Sequence, residues 1–552
     1  MFAELVEFGK RIRTGHDALK AEKCSYDIVI DVNGNFIPPL IPCDIEVVSE
    51  NIIAKKGKAR LLVDKAEETL GFGTDAKKHV LYIEKLNLYQ DIEILKPVFL
   101  FYENEGGCVK ALEEFRSLDE RKQKGNLTFR IKDDDKRLVE KDEVRTAIIE
   151  KFNNEQAKAA LGQTIKCSVC GRSDYPILDE PHGSVKMPKG QTAGSMLVSY
   201  NEKAFESYGL IGNLNSGICT NCARNYIEAL KYLLGNGNKT DNDKFKYTNR
   251  QNISDDTVLL YWTKANNEEI DMLYDVIEPT TERIQNIFAS IVTGDTLGLR
   301  ADVDNYFYSC TMSSAASRIA VRDWISISIP QYKQNIKAWF EDIATINQSG
   351  NVYYPGINQL ISGCFKIKKK TDKKQSDKKA KARIGAILWR SVLTNSHLPS
   401  MLLNNVLAQI EHAIFTEEHS TLLRLIINRN IKTTYKMKES LDTENMSIAY
   451  LCGRLFALIC KQQFVAQGAV NSSIKDRFFS SASNSPARVL GLLLSKYVPI
   501  YEKKTKGAYS TDIAEIAAQI QHFPNQFSAL ERGEFALGYY YQNKKTTNKN
   551  SK

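Results

Sequence analysis

The sequence predicts an α+β protein: a mixed α/β N-terminal region with a four-cysteine, zinc-ribbon-like insertion, followed by an all-α C-terminal four-helix bundle. Three observations lead to this prediction. Strand-like runs of β-branched and aromatic residues alternate with helical patterns up to about residue 280. Two Cys-x-x-Cys pairs lie inside that region, and beyond residue 386 apolar residues recur at helical spacing.

The length of 552 residues exceeds what one hydrophobic core supports, so we expect several domains. Residues 1–280 are predicted to form the mixed α/β domain, with the cysteine pairs at 167–222. Residues 281–365 are predicted to be a helical middle segment, and residues 366–385 a basic flexible linker. Residues 386–552 are predicted to be all-helical, with the bundle starting at about residue 437.

Three patterns define the elements of the first domain. Phe2, Leu5 and Val6 have the spacing of an amphipathic first helix. The β-rich run from Tyr26 predicts a strand that turns at Asn33-Gly34, since Asn-Gly favours hairpin turns. The apolar run 257–263 predicts a buried strand.

The cysteine pairs predict a metal site. Cys167 and Cys170 form the first pair, and Cys219 and Cys222 form the second. Each Cys-x-x-Cys turn can direct two thiolates at one ion, so together they complete a tetrahedral Zn²⁺ site. Four thiolates leave no open position for water, so the zinc is expected to be structural. The alternatives are four unrelated buried cysteines or disulfides.

Composition favours a cytoplasmic protein without a membrane span. No segment approaches the roughly 18 uninterrupted apolar residues of a transmembrane helix. The N-terminal residues contain acids and no cleavable apolar run, which excludes a secretory signal. Eleven cysteines, an odd number, indicate a reducing compartment.

The formal net charge of +9 is clustered, which favours polyanion partners. Exposed Lys and Arg with polar neighbours are the residue types that position phosphate backbones. A solvated surface loop, or pairing with surface acids, is the alternative for every cluster. The candidate nucleic-acid-binding residues are Lys55, Lys56, Lys58 and Arg60; Lys186, Lys189, Gln191 and Thr192 in a glycine-bearing loop; Asn201 and Lys203; Arg318 and Arg322; and Lys475, Arg477 and Arg488.

Local patterns place these clusters on elements. Residues 196–200 are predicted to be a short strand, followed by a helix over 202–208 that Asn201 caps. A helix over 315–325 would place Arg318 and Arg322 on one face. The run 366–383 is too polar to pack and is interpreted as a mobile linker. Four helices that start near residues 448, 486, 512 and 528 are predicted to form an antiparallel bundle.

No catalytic constellation is present in the sequence. There is no phosphate-binding loop, HExxH motif, nucleophile elbow or DxD pair, and the seven histidines are scattered. We therefore expect a protein that binds and does not catalyse.

Several long motifs resemble the large subunit of type I-C CRISPR interference complexes. The similarity extends over about residues 1–542 and is weakest before residue 166 and in 366–383. The motifs that carry it are His182 with Lys186 and the run 194–209, the runs 255–262 and 387–394, Asn428-Arg-Asn430, and the runs 450–457, 471–483 and 534–542.

The resemblance implies a non-catalytic subunit of an RNA-guided surveillance complex (Cascade) in antiviral defence. Its partners would be a guide crRNA complex with backbone and handle-processing subunits, target double-stranded DNA, the displaced single strand and a helicase-nuclease. The implied role is to recognise a PAM in the duplex, support the R-loop and recruit the nuclease. A stand-alone zinc-ribbon nucleic-acid-binding factor is the alternative, and a zinc-dependent nuclease is disfavoured by the four cysteine ligands.

In the resembled family the C-terminal bundle is also made as a separate small subunit from an internal start. Met437 precedes all four predicted bundle helices, so it is the expected start here. Met401 and Met446 are the competing starts, and a loop methionine without this role is the alternative.

Overall fold

The computed structural model describes residues 1–13, 15–52, 59–104, 106–161, 165–265, 272–292, 305–346, 351–365, 375–412, 415–430 and 435–547. The chain divides into two compact units. The N-terminal unit comprises Phe2–Gly183 and Val198–Ala229. The C-terminal unit comprises Met1, Ser184–Leu197 and Leu230–Lys552. The domain boundaries proposed from the sequence stay predictions.

The N-terminal unit contains a four-stranded sheet in the order β2-β1-β4-β3, in which β1 and β4 are parallel and the other neighbours antiparallel. The strands are β1 Leu19–Ile30, β2 Ile41–Glu50, β3 Val63–Lys65 and β4 Asn126–Ile131. The helices are α1 Phe2–Ile12, α2 Ala66–Thr69, α3 Ala76–Asn87, α4 Lys96–Glu103, α5 Gly107–Ser117, α6 Asp142–Ala160 and α7 Thr220–Gly235, whose last turns belong to the C-terminal unit.

The predicted first helix and first strand are both present. Leu5, Val6 and Phe8 are buried on one face of α1, as their spacing predicted. The turn after β1 needs Gly34, which has φ 80°. A Cβ at Gly34 would lie 2.5 Å from the backbone nitrogen of Phe101, so any side chain would collide there.

The C-terminal unit contains an antiparallel sheet in the order β10-β9-β8-β7. The strands of this unit are β5 Gly237–Lys239, β6 Phe245–Tyr247, β7 Arg250–Asn252, β8 Thr257–Thr263, β9 Tyr306–Ala315, β10 Arg318–Ser328, β11 Thr345–Ile346 and β12 Val352–Tyr353. Strand β8 is buried as the sequence predicted.

The remaining helices all belong to the C-terminal unit. They are α8 Met272–Ile277, α9 Thr281–Val292, α10 Ile329–Ile343, α11 Ile357–Gly363, α12 Gln375–Thr394, α13 Ser400–His412, α14 Glu417–Asn428, α15 Ile448–Gln467, α16 Ile474–Asn484, α17 Pro486–Leu492, α18 Val498–Thr505, α19 Ser510–Gln519 and α20 Ala529–Thr547. One hydrophobic core joins sheet β7–β10 to these helices; within it, the rings of Phe307 and Tyr332 stack with centroids 4.3 Å apart.

The helix predicted over 315–325 is wrong, because these residues form the turn and second strand of the β9–β10 hairpin. Ala316 in the turn has φ 53°, a conformation that a helix does not contain. Ile319, Ile325 and Ile327 lie in this second strand, and their β-branched side chains favour extended backbone. The short strand predicted over 196–200 is reduced to one bridge, between Met196 and Arg318.

Residues 375–385, predicted to be the end of the basic linker, lie in a helix. Residues 366–374 lie outside the described residues, but helix α12 already begins at Gln375. Ile384, Leu388 and Val392 are buried along one face of this helix at spacings of four. Lys and Ala have high helix propensity, so a basic run can extend a helix whose later turns are anchored in the core.

Between Tyr435 and Thr547 the structure has five helical rods, where the sequence predicted four. Helix α16 is the additional one, and a π turn over Leu493–Tyr497 joins α17 to α18 as one rod. The first and last rods, α15 and α20, run parallel: Ser447 Oγ donates to Glu534 near the start of both helices, and Arg454 Nε donates to Gln542 Oε1 further along both. An up-and-down succession of five rods, unlike one of four, makes its first and last members parallel.

Helix α15 is the one described helix that is long and apolar enough to cross a membrane. However, 72% of its apolar window is buried inside the protein. Its hydrophobicity is therefore explained by its position in the core.

Candidate metal centre and nucleic-acid interface

The two cysteine pairs come together in the N-terminal unit. The sulfur atoms of Cys167, Cys170, Cys219 and Cys222 all lie within 4.8 Å of one another. The Sγ atoms of Cys170 and Cys219 are 3.9 Å apart. Tetrahedral zinc with Zn–S bonds of about 2.3 Å requires sulfur atoms about 3.8 Å apart. The cluster therefore has the dimensions of a four-thiolate metal site.

Local structure explains this convergence. The first pair lies on a turn that ends at Gly171, whose φ of 71° is left-handed. Cys219 pairs with Ile177 as an isolated bridge, and Thr220 N donates to Pro176 O at 2.9 Å. Cys222 follows in the first turn of α7, where the positive end of the helix dipole favours a thiolate.

Backbone donors already point at two of the sulfurs. Cys219 N donates to the Sγ of Cys167 at 3.3 Å, and Cys222 N donates to the Sγ of Cys219 at 3.5 Å. Hydrogen bonds from Cys222 lower the pKa of the Cys219 thiol. All four cysteines are free thiols, and 3.9 Å is far beyond a disulfide bond. The residues thus fit a closed thiolate site and do not fit disulfides.

His182 stabilises the region that leads out of this centre. It is buried, and its Nδ1 lies 2.9 Å from Tyr226 Oη, while its Nε2 lies 3.1 Å from Ser216 Oγ. Burial lowers the pKa of His182 to about 4, so the ring is neutral near pH 7. His182 therefore connects α7 to the loop before it as a neutral hydrogen-bonding group.

The loop with Lys186, Lys189, Gln191 and Thr192 presents all four side chains to solvent. Val185 and Ser195 close its base by exchanging two backbone hydrogen bonds of 2.9 Å. The closed base and two internal turn hydrogen bonds fix the backbone of the loop.

This loop is anchored on the turn of the β9–β10 hairpin. Met196 N donates to Ser317 O at 2.8 Å, and Ile319 N donates to Met196 O at 2.9 Å. Ser195 Oγ donates to Ala316 O at 3.0 Å, and Ser314 Oγ donates to Pro188 O at 2.9 Å. The loop and the hairpin are thus one continuous surface of the C-terminal unit, which we call the loop–hairpin surface (residues 184–197 and 313–322).

Arg318 and Arg322 belong to the loop–hairpin surface, on the edge strand β10. Arg322 is exposed and its Nε donates to Ser313 Oγ at 2.8 Å, while Arg318 is half-buried. The nearby acid Asp323 is paired with Arg390. The structure therefore brings together two candidate groups, the loop and the two arginines, that are about 130 residues apart in sequence.

Asn201 and Lys203 lie in the N-terminal unit, on a projecting loop of residues 201–212 that we call the finger. Both side chains are exposed. The helix predicted over 202–208 is wrong: a single 3₁₀ turn, Lys203–Phe205, is present, and Asn201 does not cap it. Tyr208 and Gly209, which both have positive φ, interrupt the helical pattern.

The first basic cluster is described only at its last residue. Lys55, Lys56 and Lys58 lie outside the described residues. Arg60 is half-buried between two acids, 3.7 Å from both Glu22 and Asp64. Its charge is therefore already balanced within the protein, which weakens it as a phosphate contact.

The third cluster lies on the C-terminal helices. Lys475 and Arg477 are in the first turn of α16, and Arg488 is exposed on α17. The guanidinium of Arg477 lies 5.4 Å from the Phe478 ring and 5.9 Å from the Tyr497 ring. These two rings hold an exposed arginine in place. The sequence pattern did not predict this arrangement, because Tyr497 comes from a distant turn.

Comparison with known families matches residues 8–547 to the family described as CRISPR-associated protein (Cas_Csd1). Comparison with curated proteins gives no match. The family match covers both compact units, including the cysteine cluster, the loop–hairpin surface and the C-terminal helices. The chain therefore belongs to the Cas_Csd1 family of CRISPR-associated proteins, subunits of the Cascade interference complex.

Proposed function

We propose that this chain is the non-catalytic large subunit of a type I-C Cascade, which recognises the PAM in target duplex DNA and supports the R-loop. The loop–hairpin surface is the observation that carries this proposal. It combines Lys186, Lys189 and Arg322, exposed cations on a backbone fixed by hydrogen bonds, with Gln191, an amide of the type that reads base edges.

The other parts have supporting roles in the proposal. Cys167, Cys170, Cys219 and Cys222 would hold structural Zn²⁺, which would tie the start of α7 to the turn that carries the first cysteine pair. Lys475, Arg477 and Arg488 would contact the displaced strand, where binding is mainly electrostatic. The complex would contain a guide crRNA with backbone and handle-processing subunits, and would act in the cytoplasm, where it recruits a helicase-nuclease.

The proposal is tested on the assembled complex with the triple variant Lys186→Ala, Lys189→Ala and Arg322→Ala. We expect its affinity for a PAM-bearing duplex to fall at least about tenfold, and the salt slope of binding to fall by about 0.9 for each phosphate that is no longer neutralised. The charge-matched control replaces Lys77, Lys110 and Lys136, three exposed lysines elsewhere. Equal weakening in both triple variants, or unchanged binding in both, would contradict the assignment.

Gln191 provides a separate test of base recognition. A side chain that reads a base edge contributes discrimination between sequences, whereas a phosphate contact affects all sequences alike. We therefore expect Gln191→Ala to relax the PAM preference of the complex while affecting its overall affinity less than the triple variant does. An unchanged preference across a PAM library would remove Gln191 from the recognition site.

A further inference from the structure

The tip of the finger is a tight turn with an unusual residue in it. Ser207 and Leu210 pair as an isolated bridge, and Leu210 N donates to Ser207 O at 3.0 Å. Tyr208 and Gly209, between them, have φ of 53° and 74°. Two positive φ values in a two-residue turn define type I′, for which Asn-Gly is strongly preferred. A tyrosine at the first position is thus unfavourable for the turn itself.

Packing does not explain this tyrosine either. Its side chain is 100% exposed, so the ring has no burial in this protein that would offset the strained backbone. Phe205 and Ile211 on the same finger are also exposed, at 37% and 71%. Neither the turn nor packing within the chain therefore explains the tyrosine at the tip, which points to a contact with a binding partner.

The finger is held rigidly, which makes the position of the ring well defined. Asn215 is the support: its Oδ1 accepts from Ser207 N at 3.0 Å, and its Nδ2 donates to Leu210 O at 2.8 Å and Gly212 O at 2.9 Å. Gly212 N also donates to Glu206 Oε1 at 3.1 Å. A projecting aromatic ring on a preformed support loses little conformational entropy when it binds.

We propose that Tyr208 stacks on an unpaired nucleobase of the bound nucleic acid. Every nucleobase offers a π face to an aromatic ring, and a ring exposed on all sides can stack without rearrangement. Lys203 and Asn201 on the same finger supply a cation and an amide for the adjacent backbone. This inference rests on the proposed function, since it requires the chain to meet nucleic acid.

The test uses the full-length chain and three substitutions that separate ring, apolar bulk and backbone conformation. Tyr208→Phe keeps the ring, Tyr208→Leu keeps apolar bulk without a ring, and Tyr208→Asn supplies the residue that the turn prefers. The control is Phe464→Leu, another exposed aromatic, 64% accessible, on helix α15. Binding is measured by fluorescence anisotropy with a labelled single-stranded DNA and with a closed hairpin duplex.

We expect Tyr208→Leu and Tyr208→Asn to bind the single strand about tenfold more weakly, the effect typical of removing one stacked base. Tyr208→Phe and Phe464→Leu should bind within about twofold of the original chain, and the closed duplex should be affected least because its bases are already stacked. In addition, a strand with 5-iododeoxyuridine should photocrosslink to Tyr208. The melting temperature of Tyr208→Asn should equal or exceed that of the original chain, which excludes misfolding as the cause.

Three outcomes would overturn the inference, and the third would also overturn the proposed function. If Tyr208→Leu binds normally while Tyr208→Asn does not, the contact is apolar, as with a protein partner, and is not base stacking. If all three variants bind the single strand normally, the finger makes no base contact. If the original chain binds neither DNA, the proposed function fails together with the inference, and the results distinguish this from the failure of Tyr208 alone.

Discussion

At the scale of single residues, the cysteine thiols and His182 have the clearest consequences. The four thiols converge on one point, and His182 is kept neutral by burial. We therefore expect the stability of the N-terminal unit to depend on solution conditions: on metal chelation through the thiols and on acid through His182.

We expect the purified chain to contain one zinc ion and Cys222→Ser to lose it. The substitution removes a thiolate from a closed site, so the free energy of unfolding should fall by at least about 2 kcal/mol. Elemental analysis and thermal unfolding check both effects, with Cys43→Ser, a half-buried cysteine outside the cluster, as the control. A zinc content below about 0.2 per chain after purification without chelators would contradict the metal site.

His182 should make stability fall on acidification. Its folded pKa of about 4 lies below the ordinary histidine value of 6.5, so the unfolded chain binds more protons between these values and stability falls as the pH drops through this window. The decrease between pH 7.5 and 5.5 should be about 1 kcal/mol. In His182→Gln this component should disappear, although the variant is less stable at pH 7.5. Identical pH profiles in urea denaturation would show that His182 does not titrate in this way.

At the scale of elements, two glycines allow helices α15 and α20 to pack closely. A Cβ at Gly453 would lie 2.0 Å from Phe535 O, and a Cβ at Gly538 would lie 2.2 Å from Tyr450 O. Both contacts are with backbone atoms, which cannot move aside without separating the helices. The close packing of α15 against α20 therefore requires glycine, which has no Cβ, at both positions.

Gly453→Ala should destabilise the protein by about 3 kcal/mol, since overpacking forces the two backbones apart. The matched control is Gly491→Ala in helix α17, where an added Cβ has no atom within 4 Å. That change should stabilise the chain by up to about 1 kcal/mol through helix propensity. Chemical denaturation of the two variants measures the difference. A Gly453→Ala protein as stable as Gly491→Ala would show that α15 and α20 are not in close contact.

Sequence patterns predicted helices and strands best in segments where the apolar residues follow a single spacing, either helical or extended. The apolar stripe of α15 and the capping pair Ser528–Glu531 of α20 were both confirmed, the latter by Ser528 N donating to Glu531 Oε2 at 2.7 Å. The hairpin over β9–β10 was missed because Arg318 and Arg322, four residues apart, also fit one face of a helix over a short window.

The candidate site was predictable in part for the same reason. The two-residue spacing in each Cys-x-x-Cys turn directs both thiols at one point, so the cluster could be predicted from the sequence alone. The loop–hairpin surface depends on hydrogen bonds such as Ser314 to Pro188, between residues far apart in the chain. Such long-range contacts follow from tertiary structure and leave no local signal, which is also why the rings around Arg477 were missed.

At the scale of the whole molecule, the C-terminal rods are part of a larger core. Met437 is 5% exposed, and its N donates to Asn428 Oδ1 at 2.7 Å. Helix α20 also contacts the preceding helices: Lys544 pairs with Glu417 at 2.9 Å and Arg532 with Glu411. A product that starts at Met437 would retain all five rods and expose the face that these two pairs cover.

We expect the intact gene, expressed with a C-terminal tag, to yield a short tagged product that starts at Met437 as well as the full chain. In this product the face that the preceding helices cover in the full chain would be exposed. We therefore expect another subunit to cover it, so that the product is found bound to the assembled complex. Mass spectrometry of the tagged products measures its start, and Met437→Leu should abolish it. Absence of a short product, or its persistence in Met437→Leu, would contradict this start site.

The central claim is that this chain is the subunit through which a guide-RNA complex engages target DNA. The most direct measurement is to purify the complex from cells that express the neighbouring genes, with and without this chain, and to assay bound short RNA and binding of a PAM-bearing duplex. We expect the chain to co-purify with a short guide RNA, and PAM-dependent binding to disappear when the chain is omitted. A complex that binds the PAM-bearing duplex equally well without this chain would show that another subunit engages the target DNA.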